Sequence, residues 1–159
     1  MARRSLVARR DVGCSALNSI TLSAQVLNRG EARGEAMVLD EPLSFWGGFD
    51  PRTGTIVDRH HPQQGSCVAG RFLILPESRG SAGTPGGIAE AIRCGVGPVG
   101  IALGKADVNV AVGAMVAAAL YGVDVPVLVI GEAARAHLRT GQSLEADWDG
   151  HVRITDAVP

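Results

Sequence analysis

The segment Ser78-Arg79-Gly80-Ser81-Ala82-Gly83-Thr84 concentrates the side chains best suited to chemistry. It follows an apolar run and precedes a helical pattern. A loop in that place aims several main-chain N–H groups, and the positive end of a helix dipole, at one spot. Arg79 adds a guanidinium fork suited to carboxylate or phosphate, and Ser81 sets a hydroxyl beside these donors. Together they would form an anion site with a proton-transfer group. The same residues would equally serve as a tight connection whose Ser and Thr cap the helix, and the pattern does not choose between the two. It is not a Walker A loop, because the Gly-Lys-Ser/Thr ending is missing. It is not a nucleophile elbow, because no G-x-S-x-G fits.

A second candidate is the loop Ser44-Phe45-Trp46-Gly47-Gly48-Phe49-Asp50-Pro51. Paired glycines beside large aromatics give a shaped turn with close backbone approach. Phe45 and Trp46 would wall a pocket, pack on a partner or, as such a pair commonly does, join the core. His60 and His61 are adjacent, so on an extended chain their side chains diverge. They read as surface histidines rather than two ligands of one metal. Asp50 and Asp58 read as turn and strand-end residues. Cys14, Cys67 and Cys94 are an odd count without CxxC spacing, which fits a reducing cytoplasm and offers neither a disulfide framework nor a metal site. Cys67 and Cys94 are expected to be packed thiols.

The elements that must position these loops alternate. A strand is expected over Glu35–Leu39 and a short one over Thr55–Asp58. Apolar runs at Arg71–Leu75, Pro98–Leu103 and Pro126–Ile130 read as buried strands. Helices are expected over Ile88–Ile92, Val108–Leu120 and Glu132–Leu138. Leu144 and Ala146 alternate with polar residues before an Asp149-Gly150 hairpin turn, and Val152 and Ile154 alternate on the return. The order strand, helix, strand, helix, strand with β structure on either side implies an α/β, three-layer β/β/α fold. Residues 1–29 lack a strong period and read as a flexible Arg-rich arm, leaving 30–159 as one domain.

Composition narrows the function. In 159 residues, hydrophobic types are 46% and charged types 19%, enough for a real core and against global disorder. Aromatics at 4% argue against a base-stacking nucleic-acid platform. The net charge is -1, and four arginines in the first ten residues leave the rest still more acidic, so no general nucleic-acid surface is expected. No apolar stretch reaches the roughly 18 residues of a membrane helix, and the start does not read as a secretory signal. No membrane role and a cytoplasmic location are therefore expected.

The combination of Gly34-Glu35-Ala36, Pro42-Leu43-Ser44-Phe45-Trp46-Gly47-Gly48-Phe49-Asp50-Pro51, Thr53-Gly54, His61-Pro62, Gly65, Leu75-Pro76 and Arg79-Gly80-Ser81 resembles the small subunit, or swivel domain, of the aconitase X family. The likeness runs from about Gly30 to Gly131, and the PLSFWGG-DP-TG stretch is its most specific part. The resemblance implies a swivelling β/β/α domain and hydro-lyase (dehydratase) activity. It implies a large-subunit partner that holds an iron–sulfur cluster, with no cluster or metal on this chain alone. It also implies that Ser81 is the proton acceptor, the catalytic residue. Arg79, Gly80, Gly83, Thr84, Ser44, Gly47 and Gly48 are then the candidate substrate-binding residues for a small carboxylate or phosphate. Ser78 stands where the family loop starts with glycine, and Ala82-Gly83-Thr84-Pro85-Gly86 replaces a serine-rich stretch, so this loop should be stiffer.

Two substrates go with the family, cis-3-hydroxy-L-proline in bacteria and mevalonate 5-phosphate in archaea. A composition rich in Arg, Ala, Gly and Val, with Lys105 the one lysine among fifteen basic residues, points to a GC-rich genome and tilts the choice to hydroxyproline. A reading of another class is a non-catalytic swivel module that binds an anion or a partner. A free-standing serine hydrolase is disfavoured, because no His and Asp stand at a recognisable spacing.

Overall fold

The computed structural model describes residues 19–155. Ten strands and three helices are found there, in the order β1 (Ser19–Ser23), β2 (Gln25–Asn28), β3 (Ala32–Val38), β4 (Phe49–Asp50), β5 (Thr55–Ile56), β6 (Phe72–Leu75), α1 (Thr84–Arg93), β7 (Gly100–Leu103), α2 (Val108–Tyr121), β8 (Val127–Val129), α3 (Glu132–Arg135), β9 (Ser143–Ala146) and β10 (His151–Thr155). The three apolar runs become neighbouring parallel strands β6, β7 and β8. Every residue of β6 and β7 is buried, as expected of parallel strands covered on both faces.

The main sheet runs β1-β10-β9-β3-β6-β7-β8-β2, while β4 and β5 form a separate pair. β3 is shared between two halves. Its first part pairs antiparallel with β9 and its second part pairs parallel with β6. The strand alternation sends side chains into two cores. Leu73 and Leu75 meet Ile88, Ile92, Val110 and Ala114 of the helices. Phe72 and Ile74 meet Leu144, Val152 and Ile154 of the antiparallel half. The result is the expected α/β, β/β/α arrangement, with helices on one face of the parallel half and the antiparallel half on the other.

Helix ends follow local chemistry. Asp107 caps α2 by accepting the Asn109 N–H, and Gly122 ends it in the left-handed region at φ 66°. α1 carries Pro85 in its first turn. The helices approach closely, since a Cβ at Gly113 would sit 2.8 Å from Ile88 Cβ. α2 has no charged residue, and Val108 and Leu120 remain exposed on it.

Several expectations need correction. The arm does not extend to residue 29: residues 19–28 form β1 on β10 and β2 on β8. The reason is a short alternation in Ser19-Ile20-Thr21-Leu22-Ser23 that becomes meaningful only once β10 offers an open edge. The part of the arm over residues 1–18 lies outside the described residues. Cys67 and Cys94 are exposed rather than packed. Cys94 caps the surface end of α1, with its thiol 3.6 Å from Glu90 Oε1. Cys67 lies in the loop paired to Thr55. His60 is exposed as expected, but His61 is buried, because the loop 58–66 folds its ring inward against the chain at Glu41.

Candidate functional site

Both candidate loops meet at the C-terminal end of β6. Leu43 forms a parallel bridge to Ser78, and the Leu43 carbonyl accepts the Arg79 N–H at 2.9 Å. The aromatic pair divides its labour. Phe45 is buried and packs edge-on against Phe49 with ring centroids 5.6 Å apart. Trp46 is 65% exposed, yet it covers Gly83 so closely that a Cβ there would meet its ring at 2.4 Å. Core membership thus holds for Phe45 and not for Trp46. Ser44 shapes the turn: its hydroxyl donates to the Trp46 carbonyl at 2.7 Å and accepts the Trp46 N–H at 3.3 Å. Gly47 adopts φ 89°, which an L side chain would resist. Gly48 packs on the Ser44 carbonyl.

The serine loop closes on itself ahead of α1. The half-buried Ser81 accepts the Gly83 N–H on Oγ at 3.1 Å. Its carbonyl accepts the Thr84 N–H at 3.0 Å, and its N–H donates to Thr84 Oγ1 at 3.3 Å. Thr84 is fully buried. The cradle is therefore smaller than expected. Of the loop amides, those of Arg79, Ser81, Gly83 and Thr84 have protein partners, and those of Gly80 and Ala82 have none among the described residues. What remains is an N–H aimed at Ser81 Oγ at the mouth of a ten-residue helix. A donor on the oxygen and a positive helix end both favour negative charge there. Ser78 Oγ, beside this loop, is buried without a partner among the described residues.

Arg79 stands between two carboxylates. Its Nη2 lies 4.0 Å from Glu41 Oε2 and its Nη1 3.8 Å from Asp58 Oδ2, with the side chain 55% exposed. Asp58 Oδ1 accepts the His60 N–H at 2.9 Å. Asp50 acts as the expected turn residue. The Arg52 N–H it accepts holds its carboxyl below the usual carboxylate range. Glu41 and Asp107 belong to the site and were not singled out by sequence reasoning; a Cβ on Gly80 would lie 3.6 Å from Asp107 Oδ2. The aspartate before the helical pattern of 108–120 was the available signal. Glu41 carried none, since its pairing with Arg79 spans two loops.

The described residues do not suit an iron–sulfur cluster. Such clusters take several thiolates. Among the described residues no three His, Cys, Asp or Glu side chains converge, and Cys67 and Cys94 are both exposed. Nor is any helix among them long and apolar enough to cross a membrane.

Fold and loops together define a swivel domain of the aconitase X type, and the aconitase X swivel-domain profile matches residues 21–154. The chain belongs to that family. Among its relatives, a cis-3-hydroxy-L-proline dehydratase of Pseudomonas aeruginosa is 41% identical over 108 residues, 68% of this chain and 19% of that protein. A phosphomevalonate dehydratase small subunit of Thermococcus gammatolerans is 36% identical over 130 residues, 80% of this chain and 92% of that one. The solved aconitase X of Thermococcus kodakaraensis superposes with a TM-score of 0.76 at 30% identity, covering 86% of this chain and 99% of that one. The chain thus spans about a fifth of the hydroxyproline dehydratase and most of the small subunit. The first two of these are named as dehydratases, that is hydro-lyases.

Proposed function

We propose that this chain is the swivel subunit of a two-chain hydro-lyase and that Ser81 is its proton acceptor. The observation that carries the reading is the Gly83 N–H directed at Ser81 Oγ at the N-terminus of α1. A serine hydroxyl is a poor base in water. A donor aimed at its oxygen, with a helix terminus behind it, lowers the cost of the alkoxide. Ser81, as the alkoxide, would take the proton from substrate carbon, and the hydroxyl, given a proton from the large-chain side, would depart as water, leaving a double bond at that carbon. Arg79 would receive the substrate's anionic group, with the loop amides of Gly80 and Ala82 beside it. The partner is a large chain that carries the iron–sulfur cluster and most of the substrate pocket, and expulsion of the hydroxyl is left to it. Trp46 and Val108, exposed near the loop, suit contact with that chain.

The substrate favoured is cis-3-hydroxy-L-proline, which would lose its C2 proton and C3 hydroxyl to give the enamine that tautomerises to Δ1-pyrroline-2-carboxylate. The 41% identity to a dehydratase of that name supports it, together with the Arg-rich composition. The second reading, mevalonate 5-phosphate, is supported by the 36% identity to a phosphomevalonate dehydratase small subunit. A cytoplasmic location is proposed, since three cysteines without CxxC spacing fit a reducing compartment. The test is reconstitution with the large chain and assay on both substrates. Ser81→Ala should lower kcat by about 10²–10⁴, the usual loss for a general base, while the two chains still associate. Wild-type turnover in that variant would remove Ser81 from the reaction, and association without turnover of either substrate would favour a non-catalytic module.

A further inference from the structure

His61 is the buried titratable side chain among the described residues, 5% exposed, and the reaction above makes no use of it. All its polar groups are engaged. Nδ1 accepts the Gln63 N–H at 3.1 Å, so that nitrogen is bare and the ring proton sits on Nε2. Nε2 lies 3.3 Å from the Glu41 carbonyl and donates to it. The His61 main-chain N–H donates to the Asp58 carbonyl at 3.2 Å. Glu41 and Asp58 are the two residues whose carboxylates flank Arg79. Gln63 adds a second tie between the same segments, its amide nitrogen 2.7 Å from Asp40 Oδ2.

We infer that His61 is a positioning residue for Arg79. The His61 imidazole ties the loop that carries Asp58 to the main chain of Glu41 across twenty residues of sequence, while the His61 main-chain N–H holds the Asp58 carbonyl. His61 thereby sets the spacing of the carboxylates between which the guanidinium is held, and so the direction in which Arg79 is offered to an anionic substrate. The inference rests on the substrate-facing reading of Arg79. A purely space-filling histidine would need neither nitrogen, and an apolar residue would spare the cost of burying two polar atoms.

Two substitutions separate these roles. His61→Asn keeps an acceptor near the Nδ1 position for Gln63 and loses the reach to Glu41. His61→Gln keeps a donor near the Nε2 position. In the reconstituted two-chain enzyme, His61→Asn should raise KM roughly fivefold to tenfold, the worth of one hydrogen bond, with kcat changed by less than about twofold. His61→Gln should restore most of the KM. Wild-type KM in His61→Asn, or equal impairment of both variants, overturns the inference. Nitrogen-15 NMR of the isolated chain supplies a readout independent of turnover. The ring should carry its proton on Nε2 and not on Nδ1, and the Arg79 Nε–H resonance should move in His61→Asn and stay in His61→Gln. An Nδ1–H ring, or an Arg79 signal indifferent to both changes, refutes the tie. Arg79→Ala with unchanged KM would instead refute the substrate role of Arg79, while the NMR result still decides the tie.

Discussion

Gly83→Ala probes the contact that joins the two loops. Gly83 has φ -82° and ψ -14°, which alanine adopts without strain. The obstacle is steric: the new methyl would stand 2.4 to 2.6 Å from three atoms of the Trp46 indole. Ordinary carbon contacts lie near 3.5–4.0 Å, so ring and loop must part by about 1 Å. Trp46 is 65% exposed and free to swing outward, so the fold survives. The strain is of the overpacking kind, about 1–3 kcal/mol, or a Tm fall of roughly 3–10 °C for a domain of this size. The same shift moves the N–H that faces Ser81 Oγ, and a displacement of about 1 Å at a reacting group costs on the order of 10² in rate. Fluorescence of Trp46 in a Trp148→Phe background should shift to the red, and kcat of the reconstituted enzyme should fall by about 10² with KM little changed. An unshifted spectrum, or full turnover despite the shift, would refute the claim that Trp46 packing sets the geometry of the serine loop.

Arg79→Lys keeps the charge but loses the fork held by Glu41 and Asp58. KM should rise several-fold, and unchanged KM and kcat would count against contact between Arg79 and substrate. Acid should weaken the fold through carboxylates held below their ordinary range: Asp50 by the Arg52 N–H, Glu90 by Arg93, Glu145 by Arg153 and Asp147 by the His151 N–H. Groups with lowered folded-state values stabilise the fold above their unfolded values and lose that contribution as pH falls through the folded ones. The Tm should therefore be level above about pH 5 and decline below about pH 4. The decline should be gentle because Asp147 is exposed and the other three are only partly buried, so solvent screens all four pairings. Asp147→Asn should soften it, and a Tm flat down to pH 3 would contradict the account.

The parallel strands and their helices are legible in the sequence because each carries its own signal. Phe72–Leu75 is an unbroken apolar run closed by Pro76, and Val108–Tyr121 lies between a capping aspartate and Gly122. The serine loop and the aromatic loop are visible one by one. Their meeting is not, because the Leu43–Ser78 bridge and the Trp46–Gly83 contact depend on which strand end faces which. β1 escaped notice for the same reason, since five alternating residues need an edge to pair with. His61 was misjudged because adjacent histidines imply divergence only on an extended chain, and here the chain turns. The partners of Arg79 come from two other loops, at Glu41 and Asp58, and no local pattern links them.

β3 gives its first residues to one half of the sheet and its last to the other. Neither half can slide past its neighbour without breaking this common backbone. The serine loop and the far hairpin are therefore joined through one continuous strand. When the family's swivel turns, the whole body should turn as a single lever, with any bending confined to whatever joins it to its mate.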